Sequence, residues 1–595
     1  MPSEIKTCQN CKQEFRIEPE DFDFYEKMKV PPPTFCPECR LQRKLSFRNE
    51  RSLYKNKCQK CQKDLISMYR EDGPMTVYCR DCWYSDSWDP MNYGHEIDFS
   101  QDFVAQFKKL FHSVPVVNLW APQSVNSEYT NFSSEEKNCY LIFGGKINEN
   151  IRYSNNTSLS KDSQDLFNCT KLELSYENVQ CNNSQRLFFS KYCENCSDSY
   201  FLYDCRNCIN CFGCTNLRNK QNCLFNQQLT KEEYKKRLQG IDLGSFKNLT
   251  GNLEKFNAAY NKAIHKYAQF INTNNCTGNN MRNARDCKMC FDIFGTGSED
   301  SKYVEWVVDG VKDSYDSYGM PRAERIYEAL ATGFDLMENS DYAFTIFARG
   351  SKNVRYSINC SASHDLFGCV GLDKKEYCIL NRQYSKEEYE TFVPKIIEHM
   401  NSISYVDSKV RVYKYGEFFP TEISPFAYNE TIAQEYFPLT RKQAQDQGYG
   451  WRDGDVKNYK IDIKSEDLPD HIKDVDESIL SKVIGCGHKG ECNEQCTAAF
   501  KITKEEFQFY KKLNLPLPRL CSNCRHYNRL RQRTPFKLWH RKCQCAGFQS
   551  ANGVYQNTIK HSHGDGQCLN EFETSYAPDR PEIVYCEQCY QQEVA

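Results

Sequence analysis

Residues 186–226 read RLFFSKYCENCSDSYFLYDCRNCINCFGCTNLRNKQNCLFN, in which short aromatic and aliphatic runs alternate with Asn, Ser, Asp and Cys. Similar runs recur from about residue 126 onward at intervals of roughly 8 to 15 residues, most often about 11 to 13. Two such strands and two polar turns would fill a coil of about 22 residues. The sequence therefore predicts a mainly β, multidomain protein whose centre is a right-handed parallel β-helix.

The pattern occurs twice. At a constant offset of 155, the FGC of residues 212–214 recurs at 367–369, and the KEEY of 231–234 recurs at 386–389. Two β-helical lobes are therefore expected, each ending in a helix that covers strand edges which would otherwise be open. The predicted capping helices run from Lys231 to about residue 271, with a break near 240–251, and from Lys386 to about residue 400.

The cysteines of the two lobes are predicted to be small buried residues that stack inside the coils. Four of them are evenly spaced at every third position, which leaves a metal or iron–sulfur site open as an alternative: Cys205, Cys208, Cys211 and Cys214. In the second lobe Ser363 and Leu366 stand at two of those four places, which favours the structural interpretation.

The total of 34 cysteines is high for a chain of 595 residues with a net charge of -2. No run of 18 apolar residues indicates a membrane span, and residues 1–12 lack the apolar core of a secretory signal. The cysteines near the two ends come largely as C-x2-C pairs. Together these features favour thiolate–metal chemistry in a reducing compartment, so we expect a cytoplasmic protein without a membrane partner.

The two ends of the chain are copies of one module. The interval from Cys11 to Cys36 is the same as the interval from Cys496 to Cys521. At an offset of 485, aromatic and proline positions between the cysteines also agree, for example Phe15 with Phe500. Two C-x2-C knuckles supply the four soft ligands of a tetrahedral, structural Zn²⁺ site that has no open position.

Four ligand sets follow from the spacing. The first two are Cys8, Cys11, Cys36 and Cys39, and Cys58, Cys61, Cys79 and Cys82. The last two are Cys492, Cys496, Cys521 and Cys524, and Cys543, Cys545, Cys586 and Cys589. Near the fourth set, His561, His563 and Cys568 are predicted to replace a ligand or to build a further site, and Cys486 and His488 are spare candidates. Three to four structural Zn²⁺ ions are thus expected, with donors at hand for a fifth.

The first module resembles a small bacterial group, the probable zinc-ribbon family. The matching features are the knuckle at Cys8, Phe15, the Phe24–Tyr25 pair and the CPECRLQRK of residues 36–44. The resemblance is confined to this module, with a second copy at 492–529. It implies zinc binding by a treble-clef-like module. The layout of the whole chain is similar to uncharacterised zinc-ribbon and β-helix proteins of small-genome uncultured bacteria.

Strongly basic segments follow the second knuckle at each end. Residues 40–63 contain nine Lys or Arg and one acid, and residues 525–542 contain seven Lys or Arg and none. Rigid elements with clustered arginines and interleaved aromatic rings suit phosphate contact and base stacking. The predicted nucleic-acid-binding residues are Arg40, Arg43, Lys44, Arg48, Arg51, Arg525, Arg529, Arg531, Arg533 and Arg541.

The sequence favours a non-enzymatic adaptor that binds zinc and contacts nucleic acid, with RNA (for example ribosomal RNA) preferred to DNA. In the alternative, the arginines pair with acidic surfaces of the protein itself, such as residues 462–477, and the chain is a protein–protein scaffold within a complex. A carbohydrate-active β-helix enzyme ranks third, with Asp309, Asp313 and Asp316 as its candidate acids. The sequence shows no nucleophile–base pair, phosphate loop or open metal site, which favours a protein without catalytic activity.

The predicted domain boundaries follow these features. They are tandem zinc ribbons at 1–95, the first β-helical lobe at 96–228, a helical cap at 229–272, the second lobe with its capping helix at 273–402, an acidic and aromatic bridge at 403–484, and tandem zinc ribbons at 485–595.

Overall fold

A computed structural model describes residues 2–295, 297–319, 323–331, 337–341, 344–345, 350–453 and 459–594. It is mainly β and divides into two compact units, Met1–Trp120 with Ala268–Arg452, and Ala121–Tyr267 with Asp453–Ala595. The N-terminal modules therefore share a unit with the second lobe, and the C-terminal modules share a unit with the first lobe. The predicted domain boundaries stay predictions, but neither unit is continuous in the sequence.

The first lobe is a parallel β-solenoid with a short coil. Bridges join each residue to its equivalent in the next coil at a constant spacing, from Val125↔Lys137 to Ile209↔Gln221. Each interval between the predicted strand-like runs is thus a whole coil. The longer coil predicted from the sequence, with two strands and two turns drawn from successive runs, is therefore wrong. The right hand of the coil stays a prediction.

Left-handed backbone at almost every third residue explains the short coil. Positive φ angles occur at Asn138, Leu141, Ile147, Asn150 and Tyr153, and the series continues through the lobe. Each such residue turns the chain, so four three-residue sides close one coil. Asn and Asp tolerate this conformation better than other non-glycine residues, which accounts for their frequency here.

Asparagine side chains form hydrogen-bonded ladders along the corners of the first lobe. The Asn183 side chain donates to Asn195 (2.6 Å), Asn195 to Asn207 (3.0 Å) and Asn207 to Asn219 (2.9 Å). An amide can both donate and accept, so each rung satisfies the next. These ladders offset part of the cost of the left-handed backbone.

The cysteines of the lobe line its interior, as predicted. Cys169, Cys181, Cys193 and Cys205 are buried and occupy one position of four successive coils. The thiol of Cys193 donates to the carbonyl of Lys191 two residues earlier (3.3 Å), and the hydroxyl of Ser133, at the equivalent position of an earlier coil, makes the same bond to Asn131 (3.2 Å). Cysteine and serine therefore serve here as interchangeable small donors.

The strands of the first lobe and of its unit are as follows. In the solenoid they are Gln164–Phe167, Thr170–Glu173, Tyr176–Val179, Asn182–Phe188, Ser197–Tyr200, Ile209–Phe212, Gln221–Leu224 and Gln227–Gln228. Elsewhere in this unit they are Ile264–Lys266, Ile484–Gly485, Ala499–Phe500, Trp539–Lys542, Cys545–Ala546, Gln549–Ser550, Glu571–Thr574 and Ile583–Tyr585.

The second lobe repeats this architecture with less regular coils. The spacing of its parallel partners along the chain varies, for example between Phe270↔Met281 and Ala284↔Ser298. Its strands are Phe270–Asn274, Gly278–Arg285, Cys290–Ile293, Ser298–Glu299, Lys302–Val307, Val311–Lys312, Tyr315–Tyr318, Ala323–Ala331, Met337–Asp341, Phe344–Thr345, Ser351–Arg355, His364–Phe367, Glu376–Ile379 and Arg382–Gln383. The other strands of this unit are Glu4–Thr7, Glu14–Ile17, Tyr54–Lys57, Asp64–Ser67, Val77–Tyr78, Val116–Val117, Tyr405–Val406 and Val412–Tyr413.

Helices follow both lobes where the KEEY repeats predicted them, each opened by a Thr or Ser capping box. The helices of the described chain are α1 (Pro19–Met28), α2 (Pro37–Leu45), α3 (Arg80–Trp83), α4 (Phe103–Ser113), α5 (Lys231–Gln239), α6 (Phe246–Lys262), α7 (Lys386–Ser402), α8 (Ile432–Tyr436), α9 (Arg441–Asp446), α10 (Lys504–Leu513), α11 (Ser522–Leu530) and α12 (Glu587–Val594). Among these, none has both the length and the apolar composition needed to span a bilayer.

Glu136 gives the first lobe a pH-dependent stability. Its carboxyl is buried, one oxygen accepts from the Asn148 amide (2.9 Å), and burial raises its pKa to about 7. A raised pKa means that the stability contributed by protonation is complete below about pH 4.5 and is lost as the pH rises through about 7. We therefore expect Glu136→Gln to be more stable than the unmodified protein at about pH 8, by about 2 to 3 kcal/mol.

The measurement is the midpoint of urea unfolding between about pH 6 and about pH 8, where the gap between the two proteins should widen. Glu135→Gln is the matched control because Glu135 is exposed. A gap that does not change with pH would show that Glu136 is ionised in the folded protein throughout this range.

Candidate metal centres

Each of the four terminal modules begins with an antiparallel hairpin that holds the first two cysteines. In the first module Thr7 pairs with Glu14; Cys8 directly follows one strand, and Cys11 lies three residues before the other. The other three modules repeat this register. The pairs of hairpin cysteines are Cys8 and Cys11, Cys58 and Cys61, Cys486 and Cys496, and Cys543 and Cys568.

The second pair of cysteines lies at the start of a helix. Cys36 is the N-cap of α2, and Cys79 and Cys521 are the N-caps of α3 and α11. Cys586 directly precedes α12. In every module the backbone N–H of this cysteine donates to the first hairpin sulfur, at 3.2 to 3.3 Å. The four modules therefore share one treble-clef-like geometry.

The sulfur atoms of each module converge on one point. Within each group of four all Sγ atoms lie within 4.8 Å of one another. Measured pairs are 3.7 Å for Cys11–Cys36 and 3.7 Å for Cys61–Cys79. The edge of a tetrahedron of thiolates at a Zn–S distance of about 2.3 Å is about 3.8 Å. The groups Cys8, Cys11, Cys36 and Cys39; Cys58, Cys61, Cys79 and Cys82; Cys486, Cys496, Cys521 and Cys524; and Cys543, Cys568, Cys586 and Cys589 thus fit four structural metal ions.

The thiols compete for ionisation when no cation is present. Burial opposes it, but the backbone N–H groups of Cys61 and Cys79 lower the pKa of Cys58 to about 6. The pKa of Cys8 is lowered by the thiols of Cys36 and Cys39, and that of Cys39 is raised by Cys36 and Cys8. One thiolate forms at the expense of its neighbours, so all four ionise together only around a metal ion.

The structure brings together the predicted ligand sets of the first two modules and alters the third. Cys486 takes the place predicted for Cys492, because it directly follows the strand Ile484–Gly485 and its sulfur accepts the N–H of Cys521. Residues 487–495 separate Cys486 from Cys496, so the knuckle is not visible as C-x2-C. Cys492 lies in this insertion, with its sulfur 3.7 Å from that of Cys524.

The fourth module is altered in the same way. Cys568 takes the place predicted for Cys545, because residues 544–567 are inserted between Cys543 and Cys568 while the strands around them keep their pairing. Cys568 thus replaces a predicted ligand, which is one of the two roles that the sequence left open for it. The ligands are therefore identified by their positions next to the ends of the paired hairpin strands, and not by the spacing between cysteines.

The predicted nucleic-acid-binding residues of the N-terminal arm are buried in ion pairs with their own unit. Arg40 Nε lies 2.9 Å from Asp316, and Arg43 lies 3.0 Å from Glu328 and 3.2 Å from Glu417. Lys44, Arg48 and Arg51 are also buried, and Arg48 and Arg51 pair with Glu50 and Glu435. These five residues are not available to a nucleic acid, because all are buried within their own unit, Arg40, Arg43 and Lys44 on α2 and Arg48 and Arg51 shortly after it.

The C-terminal arm repeats the arrangement. Arg525 pairs with Asp165 (3.1 Å), and Arg529 pairs with Asp165 (2.8 Å) and Glu177 (2.9 Å). Arg40 and Arg525 also donate to equivalent backbone carbonyls, those of Phe35 and Leu520. Arg533 is buried against Phe536, Arg541 is half-buried, and Arg531 is exposed and pairs with Glu494.

Internal pairing was the alternative weighed from the sequence, although the acids used are not in residues 462–477. Asp165, Glu177, Asp316 and Glu328 lie on the solenoids. Glu50, Glu417, Glu435 and Glu494 lie outside them. Sequence reasoning missed most of these acids because they lie far along the chain from the arginines that they pair with, for example 276 positions between Arg40 and Asp316. The same pairing occupies Asp316, one of the candidate acids of a carbohydrate-active enzyme.

An exposed basic surface remains on the second module. Its hairpin reads YKNKCQKCQKDLIS over residues 54–67 and has four lysines and one acid. Lys55, Lys57 and Lys63 are exposed, and Lys60 lies over the ring of Tyr78 at 5.7 Å. In the part of the chain that the structure describes, no salt bridge is formed by the first three. We call this surface the lysine hairpin.

Comparisons with known proteins do not place the chain in a family. No family model and no curated protein matches it. Among solved structures, a "putative acetyltransferase" from Desulfovibrio desulfuricans G20 aligns at 9% identity and a TM-score of 0.10, covering 54% of this chain and 81% of that chain. A likeness this low carries no conclusion about fold or activity. The candidate functional feature of the chain is therefore the set of cysteine groups that the structure brings together.

Proposed function

We propose that the protein is a non-enzymatic adaptor in which structural Zn²⁺ ions hold the terminal modules rigid and the lysine hairpin contacts nucleic acid, RNA in preference to DNA. The observation that carries the proposal is the lysine hairpin, a cluster of exposed cations on a metal-held element.

The metal is expected to be structural and to be zinc. Four cysteine sulfurs fill a tetrahedral shell and leave no position for water or substrate, which is the arrangement of structural and not of catalytic zinc sites. All 34 cysteines are free thiols in the structure, which is consistent with a reducing, cytoplasmic compartment. Iron could occupy the same four thiolates, so metal analysis of the purified protein distinguishes the two.

The contact with nucleic acid is assigned to the lysine hairpin because most of the arginines first considered are buried, and the exposed Arg531 is paired with Glu494. Lys55 and Lys57 lie on the strand Tyr54–Lys57 and point to the same side, since alternate residues of a strand share a face. Lys63 follows the second ligand of the hairpin, and the metal fixes the distance between the two sides. Lysines placed in this way contact phosphates without reading sequence.

A protein–protein scaffold without nucleic acid is the second candidate. It is supported by the burial of four arginines, because basic helices that neutralise acids of their own unit stabilise that unit. These arginines are Arg40, Arg43, Arg525 and Arg529. In that case the lysines would balance the net charge of about -2 on a zinc ion bound by four thiolates.

Titration of the intact protein with single-stranded RNA at two salt concentrations tests the proposal. Four lysine–phosphate contacts predict a log–log salt slope of about -3. Lys55, Lys57 and Lys63 replaced together by Gln should reduce the slope to about -1 and weaken binding uniformly across sequences. The matched control replaces Lys231, Lys235 and Lys236, which are exposed on α5, and should leave binding unchanged.

Binding that is absent, or that responds equally to both triple variants, would remove nucleic acid from the proposal and leave the scaffold. DNA of the same sequence, titrated in parallel, decides the preference for RNA.

A further inference from the structure

The inserted segment of the fourth module, residues 544–567, carries a second set of metal donors. The sulfur of Cys545 lies 3.2 Å from Nδ1 of His561 and 3.4 Å from Nε2 of His563. These three donor atoms and the sulfur of Cys589 all lie within 4.8 Å of one another. Two sulfurs and two imidazole nitrogens at these distances have the size of a tetrahedral metal site.

Cys589 belongs to both groups of the fourth module. Its sulfur also lies within 4.8 Å of those of Cys543, Cys568 and Cys586. We infer that Cys545, His561, His563 and Cys589 bind a fifth divalent metal ion, and that the shared Cys589 thiolate joins it to the four-cysteine site as a binuclear cluster. The inference rests on metal binding by the fourth module and does not depend on contact with nucleic acid.

The orientation of His561 supports this assignment. Its Nε2 lies 2.9 Å from a carboxylate oxygen of Glu593, and both side chains are fully buried. A carboxylate accepts hydrogen bonds, so Nε2 carries the proton and the Nδ1 lone pair points at Cys545 and the proposed ion. Metal-bound histidines commonly donate their other nitrogen to such a carboxylate.

Glu593 is itself held in place by the inserted segment. Its carboxylate accepts from the backbone N–H of Thr558 (2.9 Å) and from the hydroxyl of the same residue (2.9 Å). Because Glu593 lies on α12, four residues after Cys589, the helix that supplies the shared thiolate also supplies the group that orients the imidazole.

Charge balance favours two ions over one. The five sulfurs of Cys543, Cys545, Cys568, Cys586 and Cys589 are all buried. Five thiolates around one divalent ion would leave about three uncompensated negative charges in this space, whereas a second ion leaves about one.

The metal content of the full-length protein tests the inference. We expect five zinc ions per chain, four in Cys545→Ser and five in the control His540→Ala, whose imidazole is exposed on the same module and pairs with Glu571 and Glu573. Glu593→Gln should weaken the fifth ion by about 10- to 100-fold while the other four stay bound. Four ions in the unmodified protein and four in Cys545→Ser would overturn the inference.

A second measurement keeps the test decisive if Cys545→Ser unfolds the module. The unmodified full chain is loaded with ¹¹³Cd, and its NMR spectrum is recorded. A shared thiolate predicts five resonances, two of which are split by coupling to each other. Five unsplit resonances would refute the bridge, and four resonances would refute the fifth ion; fewer than four would instead count against the four-cysteine groups.

Discussion

Replacing Arg43 with methionine is expected to lower the free energy of unfolding of its unit by about 3 to 5 kcal/mol. The guanidinium lies between Glu328 and Glu417, and the side chains of all three residues are at most 5% exposed. Methionine keeps much of the volume but leaves two buried carboxylates without a cation. Burial already raises the pKa of Glu328 even with Arg43 present, so loss of the arginine should force protonation or opening.

The measurement is the urea midpoint of the metal-loaded protein, with metal content determined on the same samples. Arg531→Met is the control because its side chain is 56% exposed, and it should change stability by no more than about 0.5 kcal/mol. Combining Arg43→Met with Glu328→Gln and Glu417→Gln should recover part of the loss. Equal midpoints for Arg43→Met and Arg531→Met would show that the ion pairs of Arg43 with Glu328 and Glu417 do not stabilise the unit.

Cys486→Ser is expected to remove one metal ion from the protein, whereas Cys492→Ser is expected to retain every ion. Cys486 directly follows a hairpin strand, as do Cys8 and Cys58, and it accepts the same hydrogen bond from the third ligand. Structural zinc contributes about 10 to 16 kcal/mol of binding free energy, so loss of the ion should unfold the module around α10 and α11.

Metal analysis gives the first result, and hydrogen exchange over residues 485–530 gives the second. Cys492→Ser is the matched control, being the same substitution in the same module, and its backbone protection should stay unchanged. If instead Cys492→Ser loses an ion and Cys486→Ser does not, the ligand set predicted from cysteine spacing is right, and strand register does not choose the ligands.

The sequence was sufficient to predict the metal ligands of the first two modules, because only two residues separate the two hairpin cysteines in each. A tight turn then brings the sulfurs together regardless of what lies elsewhere. In the third and fourth modules the turn is replaced by the longer segments 487–495 and 544–567, and extra cysteines within them mimic the expected spacing. Pairing of the flanking strands restores the geometry, and such pairing is not visible from the cysteines alone.

The length of the solenoid coil could also be determined only from the backbone conformation, and not from the sequence. The regular recurrence of strand-like runs was visible in the sequence, but whether one interval spans half a coil or a whole one depends on how often the chain turns. Leu141 and Tyr153, for example, have left-handed backbone and turn the chain, although their residue types do not predict this conformation. The even spacing of Asn183, Asn195 and Asn207 was the available signal.

The sequence by itself determined that the ends of this chain are duplicated cysteine modules and that its centre is two repetitive β lobes, because both follow from local spacing. Only the tertiary structure decided what the basic helices do. Arg40 and Arg525 meet Asp316 and Asp165, which lie 276 and 360 positions away along the chain. Whether a charged side chain is exposed or is buried in an ion pair depends on the partner that the fold places beside it. That partner comes from a distant part of the chain, so the local sequence does not reveal it.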